Sequence, residues 1–572
     1  MTTRRRTTKA VLALLSAVVL AAGCAQIPTS GPVHSGRELG VNQPDSYVRA
    51  LPAPPRLGAT PVEIVRGFLD ASASFEDDFA VARMFLEPDT RESWDPGKGI
   101  TIYGTGEGFS LAPSRGGGVG MSAPTVATIS PEGVRRPADG ADPVAVTFGL
   151  VRVQGQWRIS SLPDGLLLTD IDVSRSYRAV NIYFLDPSQQ ILVPDPVFVP
   201  KSPGTSTAVV KRLLRGPSTW LDPGVTSAFP VGTALSGSVP VENGVALVDL
   251  NDVALSASPK AREALSAQLV WTLSQVEDVQ SVRITVGGTP YSVRGAGEVQ
   301  PRESWQDFDP GALPSDAVPH IVRDNKLGIL DDDTFTAVPG PLGSGKLPLV
   351  DPALTPRADL VAALSEDRTS LLVGSVRSEL KARLTGGDLT APSWDVVPTT
   401  WVADRSAPGA LWMVPRSGEP VRVKVDDIAD RPITAVRVAR DGTRIALVAG
   451  AGEAGRLYVG AIARGDGHDN PARVEGLRLL SPAITSITDV DWAEADQLAV
   501  LGRVGKADPA IYLVDLDGQA VTATPAIPTV VGLAAAPWPL PMIAATGDGQ
   551  IYRLVGRRWV PVGEGIAPFY PG

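Results

Sequence analysis

The sequence predicts a multidomain chain, α+β in its first half and all-β in its second, ending in a β-propeller of about six blades. Three observations carry this. A charged and then apolar leader ends at Cys24, the only cysteine in 572 residues, so the rest is exported and folds without a disulfide. Between about residues 61 and 297, helical and strand periodicities alternate. From about 318 to 567, units of an Asp-containing turn and an apolar strand recur from Val322, Leu364, Trp401, Val438, Trp492 and Pro537. Those starts lie roughly 37 to 54 residues apart, the period of one four-stranded blade.

The leader opens with Arg4, Arg5, Arg6 and Lys9 and runs apolar from Ala10 to Ala22. An apolar stretch of about 13 residues is too short to span a bilayer. It ends Leu20-Ala21-Ala22-Gly23-Cys24, which resembles a bacterial lipoprotein signal, although Ala21 stands where that signal prefers Leu. The resemblance implies cleavage between Gly23 and Cys24, with diacylglyceryl and N-acyl groups on Cys24. The mature chain is then anchored to the membrane rather than threaded through it. Thr7 and Thr8 stand where a twin-arginine signal wants apolar residues, so the general secretory route is expected.

The whole chain carries a net charge of −10, and loss of residues 1–23 removes four cations and no acid, giving −14. Such a surface argues against nucleic acid and against electrostatic docking on anionic lipid. Cys24 once acylated leaves no cysteine for a metal site.

Residues 24–60, with Pro28, Pro32, Pro44, Pro52, Pro54 and Pro55, read as a tether. Residues 61–170 form an α+β domain. Pro61 starts a helix with Val62, Val65, Phe68 and Leu69 on one face. A second helix is expected from Phe79 to Leu86, ending before Pro88. Strands follow at Ile100–Tyr103, Val144–Phe148 and Trp157–Ile159. Helices first and a curved antiparallel sheet later resembles the nuclear-transport-factor-2-like fold. Gly116-Gly117-Gly118 lacks the strand-before, helix-after context of a phosphate cradle.

Residues 175–297 form a second α+β domain. Strands are expected at Val180–Leu185, Ile191–Pro194, Val245–Leu250 and Val282–Val286. One helix carries Val209, Val210, Leu213 and Leu214, and another carries Leu265, Leu269, Leu273 and Val276. The segments "IYFLD", "VVKRLLRGP", "ALVDLND" and "QLVWTLSQVEDVQSVRITVGG" resemble the GerMN domain of sporulation and germination proteins. That family implies a binding or assembly module without established catalytic residues. This segment holds its own apolar faces and is expected to fold alone.

In residues 318–567, "LSEDRTSLLVGS" (364–375) and "VARDGTRIALVAG" (438–450) look alike, and Asp441-Gly442 suits a hairpin turn. The units resemble the repeats of TolB-like propellers.

No constellation of residues announces catalysis. Gly340 to Lys346 spells most of a P-loop, but Leu347 supplies no hydroxyl for Mg²⁺ and Pro348 obstructs the helix. His34, His320 and His468 are scattered. His468 with Asp466 and Asp469 reads as a solvated loop before a cation site, and Asp331-Asp332-Asp333 as a turn. No cofactor is expected.

Leader, first domain, GerMN-like domain and propeller, in that order, resemble the LpqB family of actinobacterial lipoproteins. The resemblance implies a place on the outer face of the cell membrane. It also implies association with the extracellular domain of an MtrB-like sensor kinase, modulating a two-component system in envelope homeostasis and cell division. A second reading from another class is an envelope glycan-binding or hydrolytic propeller lipoprotein. Inward carboxylates and aromatics at one channel mouth favour the second reading, and bland apolar walls the first.

Overall fold

A computed structural model describes residues 52–572 except 115, 117, 141–142, 315, 466–471 and 520. The first domain opens with helix α1 (Pro61–Ala71). Thr60 and Glu63 form a reciprocal capping box, and Pro61 takes the first helical position, where no N–H is needed. Ile64, Val65, Phe68 and Leu69 are buried, while Val62 packs at the margin.

The expected second helix is cut short to α2 (Ala80–Arg83). Asp77, Asp78 and Phe79 all take left-handed backbone, which a helix cannot enter, so it begins one residue later than expected. Pro88 does not merely end a helix; it starts α3 (Pro88–Ser93).

These helices cover two four-stranded sheets. One has the order 135–137, 125–129, 100–103, 166–169, and its last two strands run parallel. The other runs 110–113, 119–123, 144–153, 156–161. Gly118 precedes the second strand of that sheet, and a Cβ there would lie 2.3 Å from the Phe148 carbonyl. Gly118 thus serves strand pairing.

Helix α4 (Asp170–Ser176) leads into the second domain. Tyr177–Leu185 pairs antiparallel with Leu192–Pro200, a longer hairpin than the sequence suggested. Pro194, Pro196 and Pro200 share one parity, so their missing N–H groups fall on the edge turned away from the partner strand. On that edge the Phe198 N–H donates to the Gly133 carbonyl of the first domain at 2.8 Å.

Helix α5 (Thr205–Leu214) and helix α6 (Pro259–Leu273) follow. Helix α6 joins two parallel strands, Val245–Leu250 and Ser281–Val286, as a βαβ crossover. It is buried on all sides from Ala264 to Leu273. Two of its buried polar residues are matched, since Gln268 bonds the Ala228 N–H and the Tyr183 carbonyl and Thr272 accepts from the Tyr183 N–H, whereas the buried Ser266 hydroxyl has no partner among the described residues.

Six four-stranded sheets among the described residues form the propeller blades. Their inner strands begin at 566, 350, 393, 433, 484 and 530 for blades 1 to 6; in chain order these starts lie 36 to 51 residues apart. Blade 1 is completed by the C-terminal strand Ile566–Phe569, which pairs with His320–Arg323 and closes the ring.

The two look-alike segments are not equivalent hairpins. Residues 364–375 join the second and third strands of blade 2, whereas 438–450 join the first and second strands of blade 4. Asp-rich turns before an apolar strand occur at both ends of a blade, so the motif fixes the period but not the phase.

One hydrophobic cluster runs without a break from Ile182 and Phe184, through α6, to Ala446, Val459, Trp492 and Val500 of blades 4 and 5. Part of the segment between the second domain and the propeller packs on as well. Val299–Pro301 adds to the sheet beside Ser281–Arg283, and Trp305 is buried with its carbonyl accepting from Trp271 Nε1.

Candidate functional site: propeller channel and module junction

A propeller's inner strands turn one edge, with unpaired backbone groups, toward the central axis. Here side chains of neighbouring blades satisfy that edge. Asp489 of blade 5 accepts from the Leu533 N–H of blade 6 at 3.1 Å and pairs with Arg437 of blade 4 at 3.4 Å. Asp491 accepts from the Ala535 N–H at 2.9 Å. Arg405 donates to the Thr434 carbonyl and pairs with Asp388 at 3.1 Å, and Arg368 pairs with Asp351. Trp394 and Trp492 donate from their indoles to the Ala353 and Arg437 carbonyls.

Asp351, Arg368, Arg405, Arg437, Asp489 and Asp491 line a cavity of about 330 Å³ bounded by the inner strands of the blades. Phe569 and Tyr570 line it too, the Tyr570 hydroxyl donating to the Pro541 carbonyl. Burial pushes the Asp489 carboxyl up to about 6, against the pull of Arg437 and the Leu533 N–H. The arrangement can hold a polar ligand by charge and hydrogen bond. It offers no pair of uncommitted carboxylates, because Asp489 and Asp491 each spend both oxygens on backbone N–H groups.

The second concentration of buried charge lies where the modules meet. Asp195 is fully buried and accepts from Trp220 Nε1 at 3.0 Å, from the Ser218 N–H at 2.8 Å and from Arg212 at 3.3 Å. Burial raises its carboxyl while Arg212 and Ser218 oppose the rise. Arg478 of blade 4 lies 4.2 Å above the Trp220 ring, and burial draws its guanidinium down to about 10. Gly476 allows this approach: its φ is +62°, and a Cβ would stand 2.3 Å from the Trp220 carbonyl. Arg135 of the first domain reaches the Gly518 carbonyl of blade 5, and Asn181 donates to Asp496 at 2.6 Å. Sequence patterning could not reveal this knot, since Arg478 and Arg135 lie in strands far apart in the chain, with no local motif to mark them.

Cys24, Gly23 and His34 lie outside the described residues, as does the His468, Asp466 and Asp469 group. His320 lies buried in the closing strand pair, its Nδ1 3.0 Å from the Val318 carbonyl; burial lowers its imidazole to about 4. Gly340 to Lys346 forms a short 3-10 turn, Pro341–Ser344, between blades 1 and 2. Asp331 ends a strand of blade 1, and Asp332 in the following turn pairs with Arg553 at 2.7 Å. Among the described residues no three metal-ligating side chains converge, and no helix is long and apolar enough to cross a membrane.

Residues 54–174 match the family of the Lipoprotein LpqB N-terminal domain, residues 181–292 the Sporulation and spore germination family, and residues 322–571 the Lipoprotein LpqB beta-propeller domain. A Lipoprotein LpqB from Streptomyces coelicolor is 34% identical, with 100% of this chain and 98% of that one covered. The chain belongs to the LpqB lipoprotein family. The LpqB of Thermobifida fusca is 32% identical over 97% of both chains. Among solved structures, TolB from Acinetobacter baumannii overlaps 46% of this chain and 68% of its own, at 16% identity and a TM-score of 0.35. LpqB is thus a family of lipoproteins with a GerMN-type module and a propeller, not one named for an enzymatic activity.

Proposed function

We propose that this LpqB chain is an anchored, extracytoplasmic accessory of an MtrB-like sensor kinase, held to the outer face of the cell membrane through acylated Cys24. Residues 1–23 are the cleaved leader, and 24–60 hold the body off the bilayer. The domains take the limits 61–170, 175–297 and 318–567, and the chain performs no turnover of its own. The observation that supports this reading best is the unbroken core from the GerMN-type domain into blades 4 and 5. It makes the second domain and the propeller one rigid body, suited to presenting a fixed, broad surface to a partner. Anchor and partner share the membrane plane, so confinement raises effective concentration and a modest affinity suffices.

One observation favours the second reading, a glycan-binding or hydrolytic propeller: carboxylates and two aromatics, Phe569 and Tyr570, line the same channel cavity. The bonding of those carboxylates argues against hydrolysis, since a general acid and a general base need freedom to exchange protons. The test is a crosslinking pull-down of the lipidated protein from membranes. Recovery of the kinase's extracellular domain supports the accessory role. Glycan turnover by the purified protein, with no kinase recovered, replaces it.

A further inference from the structure

Between the first and second domains runs an open groove of about 390 Å³, separate from the channel and touching the junction knot only at Arg212, which is committed to Asp195 and Ser218. Its floor is apolar and aromatic: Phe75 and Phe79 come from the first domain, and Tyr177 and Phe198 from the second. Phe75 and Tyr177 meet edge to face with centroids 6.4 Å apart. Phe79 is the third of the three consecutive left-handed residues noted above, a conformation that bulky side chains rarely take, and it places the ring at the groove wall.

The rim differs from the floor. Lys211 and Arg215, near the end of α5, are exposed and have no acidic partner among the described residues. The nearest rim acid, Glu132, turns its carboxylate to the Thr219 hydroxyl at 2.7 Å. An apolar trough with two unmatched cations at one end is complementary to an apolar chain bearing an anionic head.

A peptide strand is a poorer match. The wall formed by Phe198, Val199 and Pro200 is a strand edge, yet Pro196 and Pro200 carry no N–H there and the Phe198 N–H already serves Gly133. An added strand would find no donors, whereas a hydrocarbon chain needs none.

We infer that this groove binds a single-chain anionic amphiphile of fatty-acid type drawn from the membrane, its chain over Phe75, Tyr177 and Phe198 and its head between Lys211 and Arg215.

The probe is cis-parinaric acid, an intrinsically fluorescent long-chain carboxylic acid, titrated into the full chain carrying Cys24→Ala so that no acyl group of its own competes. Saturable binding is expected. Its methyl ester, without the charge, and the Lys211→Glu/Arg215→Glu variant should each bind roughly tenfold more weakly, the scale of two exposed ion contacts. Ala208→Trp, on the half-exposed groove side of α5, should abolish binding while the melting temperature stays that of the parent. Equal binding of acid and ester, or affinity untouched by either variant, overturns the inference. If the acylated wild-type chain fails to bind while Cys24→Ala binds, the groove belongs to the chain's own anchor and the membrane source is wrong. Binding of a kinase-derived peptide at this groove in place of the fatty acid also overturns it.

Discussion

His320 stacks on Phe569, ring centroids 5.5 Å apart, at the place where the last strand closes the propeller. The pair joins the start of the ring to its end, so its protonation state bears on closure. Burial keeps the folded imidazole neutral down to about 4, whereas an unfolded histidine protonates near 6.5. Between those values the unfolded chain binds more protons, so stability falls as pH drops through this window, by up to about 3 kcal/mol. His320→Phe keeps the stack and removes the titration. Its melting temperature relative to wild type should rise as pH falls from 6.5 to 4; an unchanged difference contradicts a buried neutral histidine.

Asp489 predicts the opposite sign. Its folded carboxyl titrates near 6 and an unfolded aspartate near 4, so the native state binds more protons in between. Its contribution to stability falls as pH rises through that window, again by up to about 3 kcal/mol. Asp489→Asn can still accept from the Leu533 N–H, and Arg437 retains Asp491 at 4.0 Å. The variant should gain on wild type as pH rises from 4 to 6, read by thermal melts. A gain in the other direction would mean that the Arg437 pair outweighs burial.

Trp220 anchors the second domain to blade 4. Trp220→Ala should lose about 3–5 kcal/mol of unfolding free energy, because it opens a cavity and strips partners from buried Asp195 and Arg478. Gly476→Ala, which forces a Cβ against the Trp220 carbonyl, should lose about 2 kcal/mol or more from overpacking and left-handed strain. Urea unfolding measures both, and a loss under about 1 kcal/mol in either would mean that the junction is loose.

Residues 176–297 read in sequence as an autonomous module. The shared core gives a different expectation: isolated from blades 4 and 5, the fragment exposes apolar surface and melts well below the intact chain. Calorimetry of the intact chain should show the second domain and propeller unfolding in one transition. Two separated transitions, one matching the fragment, would restore the autonomous reading.

Much of the fold was legible because its signals are local. Pro61 and the apolar face behind it mark α1, the i, i+4 leucines mark α6, and the recurrence of turn and strand gives the blade period. What was not legible depends on distant partners. The left-handed run at 77–79 that shortens α2 has no strong sequence sign, since Asp and Phe are not glycine. The phase of the repeat was ambiguous, because Asp441-Gly442 and Asp367-Arg368 turn at opposite ends of their blades. The channel staples and the Trp220–Arg478 contact join residues tens to hundreds of positions apart, and neither leaves a local motif.

The central claim, that this lipoprotein acts on a kinase from its membrane anchor, is tested most directly by transcriptional output in a strain lacking the gene. Wild-type protein and an exported Cys24→Ala form are expressed at equal levels, with acyl labelling to confirm that only the first is lipidated. Wild type should restore the kinase-dependent output, and the unanchored form should restore little, because it loses the confinement that modest affinity requires. Equal restoration by both forms, or none by either, would contradict the account.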